Sequence, residues 1–167
     1  QTSSGDGSRS LRPLHVRTIN WLISLRKKVH FIANSAAVAE NLTYNEGVSQ
    51  KKITVVYPGV SLDSQKHYTK TKNILEFIFV GNLIHYKQHI RLIEIIQVAV
   101  RKEPSITIRL VGEGPMRSEI EDLILRYGLS KNVLLLGRRD DVSELLESSD
   151  IYVSVSGREG CPTAVLE

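Results

Sequence analysis

Residues 75–81 read Leu75-Glu76-Phe77-Ile78-Phe79-Val80-Gly81, a short apolar run closed by a glycine. A short run rich in apolar, β-branched and aromatic residues that meets a glycine reads as a strand. Outward from it, the spacing predicts a helix over 87–101, a break at Pro104 and a strand over 106–111. Gly112-Glu113-Gly114-Pro115 then opens a helix that runs to Tyr127 and stops at Gly128. A third strand over 133–136 ends at Gly137, a short helix covers 142–147, and a fourth strand covers 151–155. A last helix starts near Pro162. Strands that alternate with helices pair in parallel through right-handed crossovers. The fold class is α/β, a parallel sheet flanked by helices.

Upstream of residue 75 the pattern differs. Residues 1–10 are rich in serine and glycine and read as a flexible tail. Leu14, Ile19, Leu22, Ile23 and Leu25 fall at near-helical spacing, and Pro13 suits a first helical turn. The run 29–33 is a candidate buried strand, and Asn34-Ser35 offers an N-cap for a helix that ends at about Glu46, before Gly47. A β-branched strand over 53–57 is closed by Pro58-Gly59. Residues 61–73, polar and rich in lysine, read as a linker. These front strands have no sheet of their own, and the chain stops at Glu167 inside the opening turns of a helix. Both ends read as cuts through a larger protein.

The chain has 167 residues, 41% of them hydrophobic and 24% charged, enough for one compact domain or a piece of a larger α/β protein. Its single cysteine excludes a disulfide scaffold and a Cys-rich metal site, and fits a reducing, cytoplasmic compartment. No apolar run reaches the ~18 residues of a membrane-spanning helix, and no signal-peptide pattern opens the chain. The net charge of +4 hides an asymmetry, +7 over residues 1–73 and −3 over residues 74–167. Arg26-Lys27-Lys28, close to Trp21, suits peripheral contact with an anionic membrane face or an anionic acceptor. A solvated helix end, whose negative dipole welcomes cations, is the plainer account.

In an open parallel sheet the ligand lies outside the carboxyl ends of the strands. Four loops qualify: 81–87, 112–115, 137–140 and 156–163. The last carries Glu159 and Glu167, eight positions apart, around Gly160, Cys161, Pro162, Thr163 and Ala164. Free amides at a helix start favour an anion there, while carboxylates suit sugar hydroxyls rather than phosphate. A phosphate flanked by sugars is a nucleotide sugar; a surface Glu plus a helix-capping Glu is the alternative. Lys87 at a helix start is disfavoured by the dipole unless an anion offsets it, which hints at phosphate; a solvated surface lysine fits as well.

Other patterns carry less. Gly112-Glu113-Gly114 follows a strand as a dinucleotide fingerprint would, but Arg117 stands where the third glycine belongs. The five histidines have no metal spacing, and Cys161 has no adjacent histidine to activate it. Asn41-Leu42-Thr43 is a glycosylation sequon by letter only. Nothing points to nucleic acid.

Six segments in order, FIANS (31–35), ITVVYPGV (53–60), FVGNLIHYKQ (79–88), LVGEGPMRSEIEDLI (110–124), NVLLLGRRDDVSELLESSDIYVSVS (132–156) and REGCPTAVLE (158–167), resemble the retaining family 4, or group 1, glycosyltransferases of GT-B fold. That resemblance implies two Rossmann-like domains across a cleft, the first taking the acceptor and the second the nucleotide sugar. Residues 1–28 would then be a tail and a helix of the acceptor domain. Residues 29–72 would be that domain's end and the interdomain linker, and 73–167 an incomplete donor domain. By the same resemblance Glu159 lies by the donor sugar and Glu167 binds the ribose. Amides over 160–164 contact sugar or phosphate, Lys87 neutralises the diphosphate with Gly81 and Asn82 beside it, and Gly137-Arg138 adjoin the base. Asn82 stands where the family often has arginine, and Gln88 where glycine is common.

The donor would be a nucleoside-diphosphate sugar and the acceptor a glycan, a lipid-linked group or another hydroxyl, with no metal or other cofactor. A non-catalytic nucleotide-binding remnant and, less fittingly, a sugar-nucleotide epimerase are the other readings. The 167 residues alone would be an inactive fragment.

Overall fold

The computed structural model describes residues 14–60, 75–157 and 159–166, and the chain divides after Pro58 into two units. The expected tail over 1–10, the expected linker over 61–73, and Glu167 lie outside the described residues.

In the second unit, strands β3 (Glu76–Val80), β4 (Thr107–Val111), β5 (Val133–Gly137) and β6 (Ile151–Tyr152) form a sheet. Strands β1 and β2 belong to the first unit and are given below. All pairs in the four-stranded sheet are parallel, and the order is β5-β4-β3-β6. The registers Ile78↔Arg109 and Ile78↔Tyr152 centre β3 between its neighbours. Ile78, Phe79, Ile108 and Leu110 are each at most 1% exposed, the buried centre of the sheet. Helix α3 (His89–Lys102) buries His89, Leu92, Ile93 and Ile96, one stripe at helical spacing. Helix α4 (Arg117–Arg126) does the same with Ile120, Leu123 and Ile124, and packs against α3. These stripes close one core over β3, β4 and β5. Helix α5 (Val142–Glu147) lies between β5 and β6 in the chain and contacts β3.

The amino ends of the strands are tied by side chains. Asn132 Nδ2 donates to Pro104 O (3.1 Å) and Ile106 O (2.7 Å), and Asp150 Oδ2 accepts from Glu76 N at 2.8 Å. The carboxyl ends are tied backbone to backbone. Gly81 N donates to Val111 O (2.9 Å), Leu83 N to Glu113 O (2.9 Å), Gly112 N to Gly137 O (2.8 Å) and Met116 N to Leu83 O (3.0 Å). The approach is so close that a Cβ on Gly112, whose φ is +137°, would lie 2.1 Å from Gly81 O. One on Gly114 would lie 2.4 Å from Leu83 O. The two glycines thus seat the loop after β3, and this accounts for the incomplete fingerprint.

In the first unit, helices α1 (Leu14–Ser24) and α2 (Ala36–Tyr44) accompany β1 (Phe31–Ala33) and β2 (Ile53–Val55). The two strands pair in parallel, Phe31↔Ile53 to Ala33↔Val55, so they do form a small sheet, contrary to expectation. Ser35 caps α2, its Oγ accepting from Val38 N at 3.3 Å, and Gly47 at φ +71° lets Val48 N reach back to Leu42 O at 3.0 Å. The C-terminal carbonyls of α1 and its following turn are met by Lys52, whose Nζ donates to Ser24 O (2.5 Å) and Arg26 O (2.8 Å). Among the described residues no helix is long and apolar enough to cross a membrane.

Three elements differ from the sequence reading. The helix expected from residue 87 starts at His89, after a 3-10 turn over His85–Lys87, because Gln88 adopts a left-handed conformation, φ 55° and ψ 39°. The strand expected over 151–155 keeps two paired residues. Val153 N still reaches Ile78 O at 2.8 Å, but four residues on Gly157 N bonds Tyr86 O at 2.9 Å, which draws the chain off the ladder. The helix expected at Pro162 is, among the described residues, a 3-10 turn over Thr163–Val165.

Backbone approach predicts unequal costs for two glycines of positive φ. Gly112→Ala collides with a carbonyl and is expected to cost more than about 3 kcal/mol in urea unfolding. At Gly128, φ +68° with nothing within 4 Å of a Cβ, alanine meets only the left-handed penalty, about 1–2 kcal/mol.

Candidate functional site

Strand order reverses at β3: β4 and β5 run out on one side, β6 on the other. Loops leaving the carboxyl ends of β3 and β6 therefore diverge and open a crevice between them. That crevice is a cavity of about 500 Å³. Its wall comprises Val80, Gly81, Asn82, Tyr86 and Lys87 from β3 and its loop, Asp140, Val142 and Ser143 from the start of α5, Tyr152 from β6, and Glu159 with Cys161, Pro162, Thr163 and Ala164.

Lys87 Nζ and Glu159 Oε1 form an ion pair across this cavity, their side chains 16% and 24% exposed. Residues 72 positions apart in the chain meet here. Burial acts to raise the Glu159 pKa, but the hydrogen bonds from Lys87 and Ser156 and the Lys87 charge prevail, leaving it below the usual carboxylate value. The ammonium also stands 5.8 Å from the centroid of the Tyr86 ring, the outer range of a cation–π contact. Gly81 leaves room for the lysine stem: a Cβ there would lie 3.5 Å from Lys87 Cε and 3.2 Å from Phe79 Cε1.

Behind the pair sits His89, fully buried and packed edge-on against Phe79 at 4.5 Å between ring centroids. Neither ring nitrogen has a hydrogen-bond partner. Burial, reinforced by the Lys87 charge, pushes its pKa down to about 4, so the imidazole is neutral near pH 7.

Eight of the residues singled out in the sequence share the cavity wall: Gly81, Asn82, Lys87, Glu159, Cys161, Pro162, Thr163 and Ala164. Gly160 lies in the same loop but is exposed and outside the wall. Gly137 is buried and gives its carbonyl to Gly112 N, while Arg138 is exposed; neither lines the cavity. One electrostatic expectation changes. Lys87 ends a 3-10 turn rather than starting the helix, so the unfavourable dipole of a helix start bears less on it, and Glu159 is its observed counter-charge. After Pro162 the described residues show a three-residue 3-10 turn over Thr163–Val165. Tyr86, Asp140, Val142, Ser143 and Tyr152 were not singled out. Their signal was position, since each stands at or just beyond a strand's carboxyl end or at the start of the following helix. Among the described residues no three His, Cys, Asp or Glu side chains gather to hold a metal ion.

The chain belongs to the group 1 glycosyl transferases, whose family model matches residues 62–167. An uncharacterized glycosyltransferase of Haemophilus influenzae is 32% identical over 69% of this chain and 32% of its own length. The Staphylococcus aureus capsular polysaccharide biosynthesis glycosyltransferase CapH is 26% identical over 84% of this chain and 39% of its own. The chain spans about a third of the length of these curated relatives. Among solved structures, a mutant of S. aureus TarM in complex with fondaparinux, α-GlcNAc-glycerol and UDP superposes with a TM-score of 0.76 at 21% identity, over 89% of this chain and 29% of that one. Anabaena HepE in complex with UDP-glucose superposes at 0.69, also at 21% identity, over 86% of this chain and 43% of that one. The α/β, Rossmann-like reading of the fold agrees with these GT-B neighbours.

His89 sets a pH dependence. Its native pKa of about 4 lies below the unfolded value of 6.5, so the stability that the neutral ring contributes is complete above pH 6.5. It is lost as the pH falls from there toward 4, up to about 3 kcal/mol. Unfolding free energies of wild type and His89→Leu between pH 4 and pH 7 are expected to diverge, with the leucine variant nearly flat over that range.

Proposed function

We propose that this chain is the donor-binding part of a glycosyltransferase that moves a sugar from a nucleoside-diphosphate sugar to an acceptor hydroxyl, with retention of configuration, in glycan or polysaccharide assembly. What carries the reading is the meeting of Lys87 and Glu159 in a cavity at the switch point, both inside the residues that match the group 1 family. On this reading residues 1–28 and 29–72 belong to the acceptor domain and the link, and 73–167 to the donor domain. The chain alone binds donor without transferring sugar.

Binding exchanges one ionic partner for another. The diphosphate takes Lys87, and Glu159, released, accepts hydrogen bonds from the donor sugar. Asn82 and the backbone amides of Gly160, Cys161, Thr163 and Ala164 supply uncharged donors, Gly137-Arg138 adjoin the base and Glu167 holds the ribose hydroxyls. As the bond from the anomeric carbon to the phosphate oxygen breaks, Lys87 stabilises the charge that develops on the leaving diphosphate. The acceptor oxygen bonds to the anomeric carbon on the same face, and its proton passes to the departing phosphate oxygen. Atoms and charge balance without a metal ion.

In the longer enzyme, Lys87→Ala is expected to lower the transfer rate by roughly 10²-fold. Glu167→Ala should weaken nucleotide binding about tenfold, the worth of a hydrogen bond to a charged group. Glu159→Gln, which frees Lys87, should bind the bare nucleoside diphosphate at least as tightly as wild type while transferring more slowly. A chelator should change none of these rates. Calorimetry and product analysis read all four; wild-type binding and turnover in all three variants would overturn the site.

The acceptor side of this proposal includes a lipid surface. Lys52 already satisfies the carbonyls at the end of α1, so Arg26, Lys27 and Lys28, all exposed beside the half-exposed Trp21, are not needed there. Replacing the three by glutamine is expected to abolish co-sedimentation with vesicles that contain phosphatidylglycerol; neutral phosphatidylcholine vesicles should capture neither protein.

A further inference from the structure

Gln88 is the one non-glycine with a positive φ among the described residues, at φ 55° and ψ 39°. A side chain in that conformation is disfavoured, so something about this residue offsets the strain. Capping does not: Gln88 stands at the N-cap of α3, yet its side chain makes no cap hydrogen bond. Its backbone does make a reversal. Gln88 N bonds His85 O (3.0 Å) to close the 3-10 turn, and Gln88 O accepts from Leu92 N (3.1 Å) to open the helix. The turn of direction sends Lys87 into the cavity wall and His89 into the core from adjoining positions.

The side chain packs against the loop after β6. Gln88 Nε2 lies over Gly157, where a Cβ would come within 2.9 Å of it. The two flanking contacts join the same loops: Gly157 N donates to Tyr86 O at 2.9 Å, and Glu159 pairs with Lys87. Tyr86 and Lys87 thus bond the loop after β6, and the Gln88 side chain packs against it.

We propose that Gln88 is a positioning residue, a latch between the two loops that sets where the Glu159 carboxylate meets Lys87 and how far the cavity opens. It touches no reacting atom; its effect on the donor passes through Glu159 and rests on the proposed nucleotide-sugar reading.

Cys161, the single cysteine of the chain, lines the cavity two residues beyond Glu159 and reports the opening without any donor. In this chain, Gln88→Gly removes both the strain and the latch. It is expected to unfold at the wild-type urea midpoint or above, to alkylate Cys161 with iodoacetamide at least threefold faster, and to bind a nucleoside-diphosphate sugar several-fold more weakly. Gly157→Ala, which displaces the amide from the other side, should show the same gain in alkylation, and the double variant should add little to either. An unchanged alkylation rate in Gln88→Gly, or one that rises only in step with lost stability, overturns the latch. Faster alkylation in a chain whose wild type binds no nucleotide sugar upholds the latch and overturns the donor reading.

Discussion

No side chain fits at position 112. The carbonyl of Gly81 occupies the place where its Cβ would stand, and the carbonyl of Leu83 does the same to Gly114. This backbone-on-backbone approach is the constraint on which the site depends. It holds the loop after β3 against the turn after β4, and that turn is held in turn by Gly137 O at the end of β5. Three of the four carboxyl-end loops are thereby tied to one another. The loop after β6 is left as the one joined by side chains and a single amide.

The topology gives that asymmetry a purpose. At a switch point the loops on either side of the reversal diverge, so a crevice arises without any residue being spent on making it. Its rigid wall is the loop after β3, seated by the glycines. Its other wall is the loop after β6, held through Gly157, Glu159 and the Gln88 side chain. A partly exposed ion pair contributes only about 0–1 kcal/mol, so exchanging Glu159 for a ligand anion at Lys87 costs little.

The sequence was most legible where short apolar runs marked the strands, and where stripes at helical spacing marked α3 and α4. It was least legible where a single dihedral or a single amide decides. Nothing in the composition of HYKQH shows that Gln88 turns left-handed, since glutamine is a good helix former. So the helix was read two residues early. Likewise Val153-Ser154-Val155 has the makings of a strand, but Gly157 N competes for the chain, a tertiary effect with no local signature. For the site, the carboxyl-end rule pointed to four loops, of which 81–87, 137–140 and 156–163 reach the cavity wall and 112–115 does not, and the resemblance selected residues within them. It could not show that Lys87 and Glu159 pair with each other, nor that Tyr86, Asp140 and Tyr152 complete the wall.

That pairing changes the electrostatic account of the cavity. A lysine at a helix start would be strained by the dipole and would await an anion. Lys87 instead rests against Glu159, with a second carboxylate, Asp140, also in the wall. An unpartnered cation in a polar cavity would bind phosphate of any kind, including the abundant inorganic ion. A cation already matched by a carboxylate discriminates differently: an anion gains Lys87 only by displacing Glu159, and the displaced carboxylate then needs hydrogen-bond donors of its own. A ligand that carries hydroxyls beside its phosphate satisfies both halves of the pair at once, whereas bare phosphate satisfies one and leaves the other unpaired. On the proposed donor reading, the pair favours a ligand that carries hydroxyls beside its phosphate only within the ~0–1 kcal/mol that a partly exposed ion pair is worth.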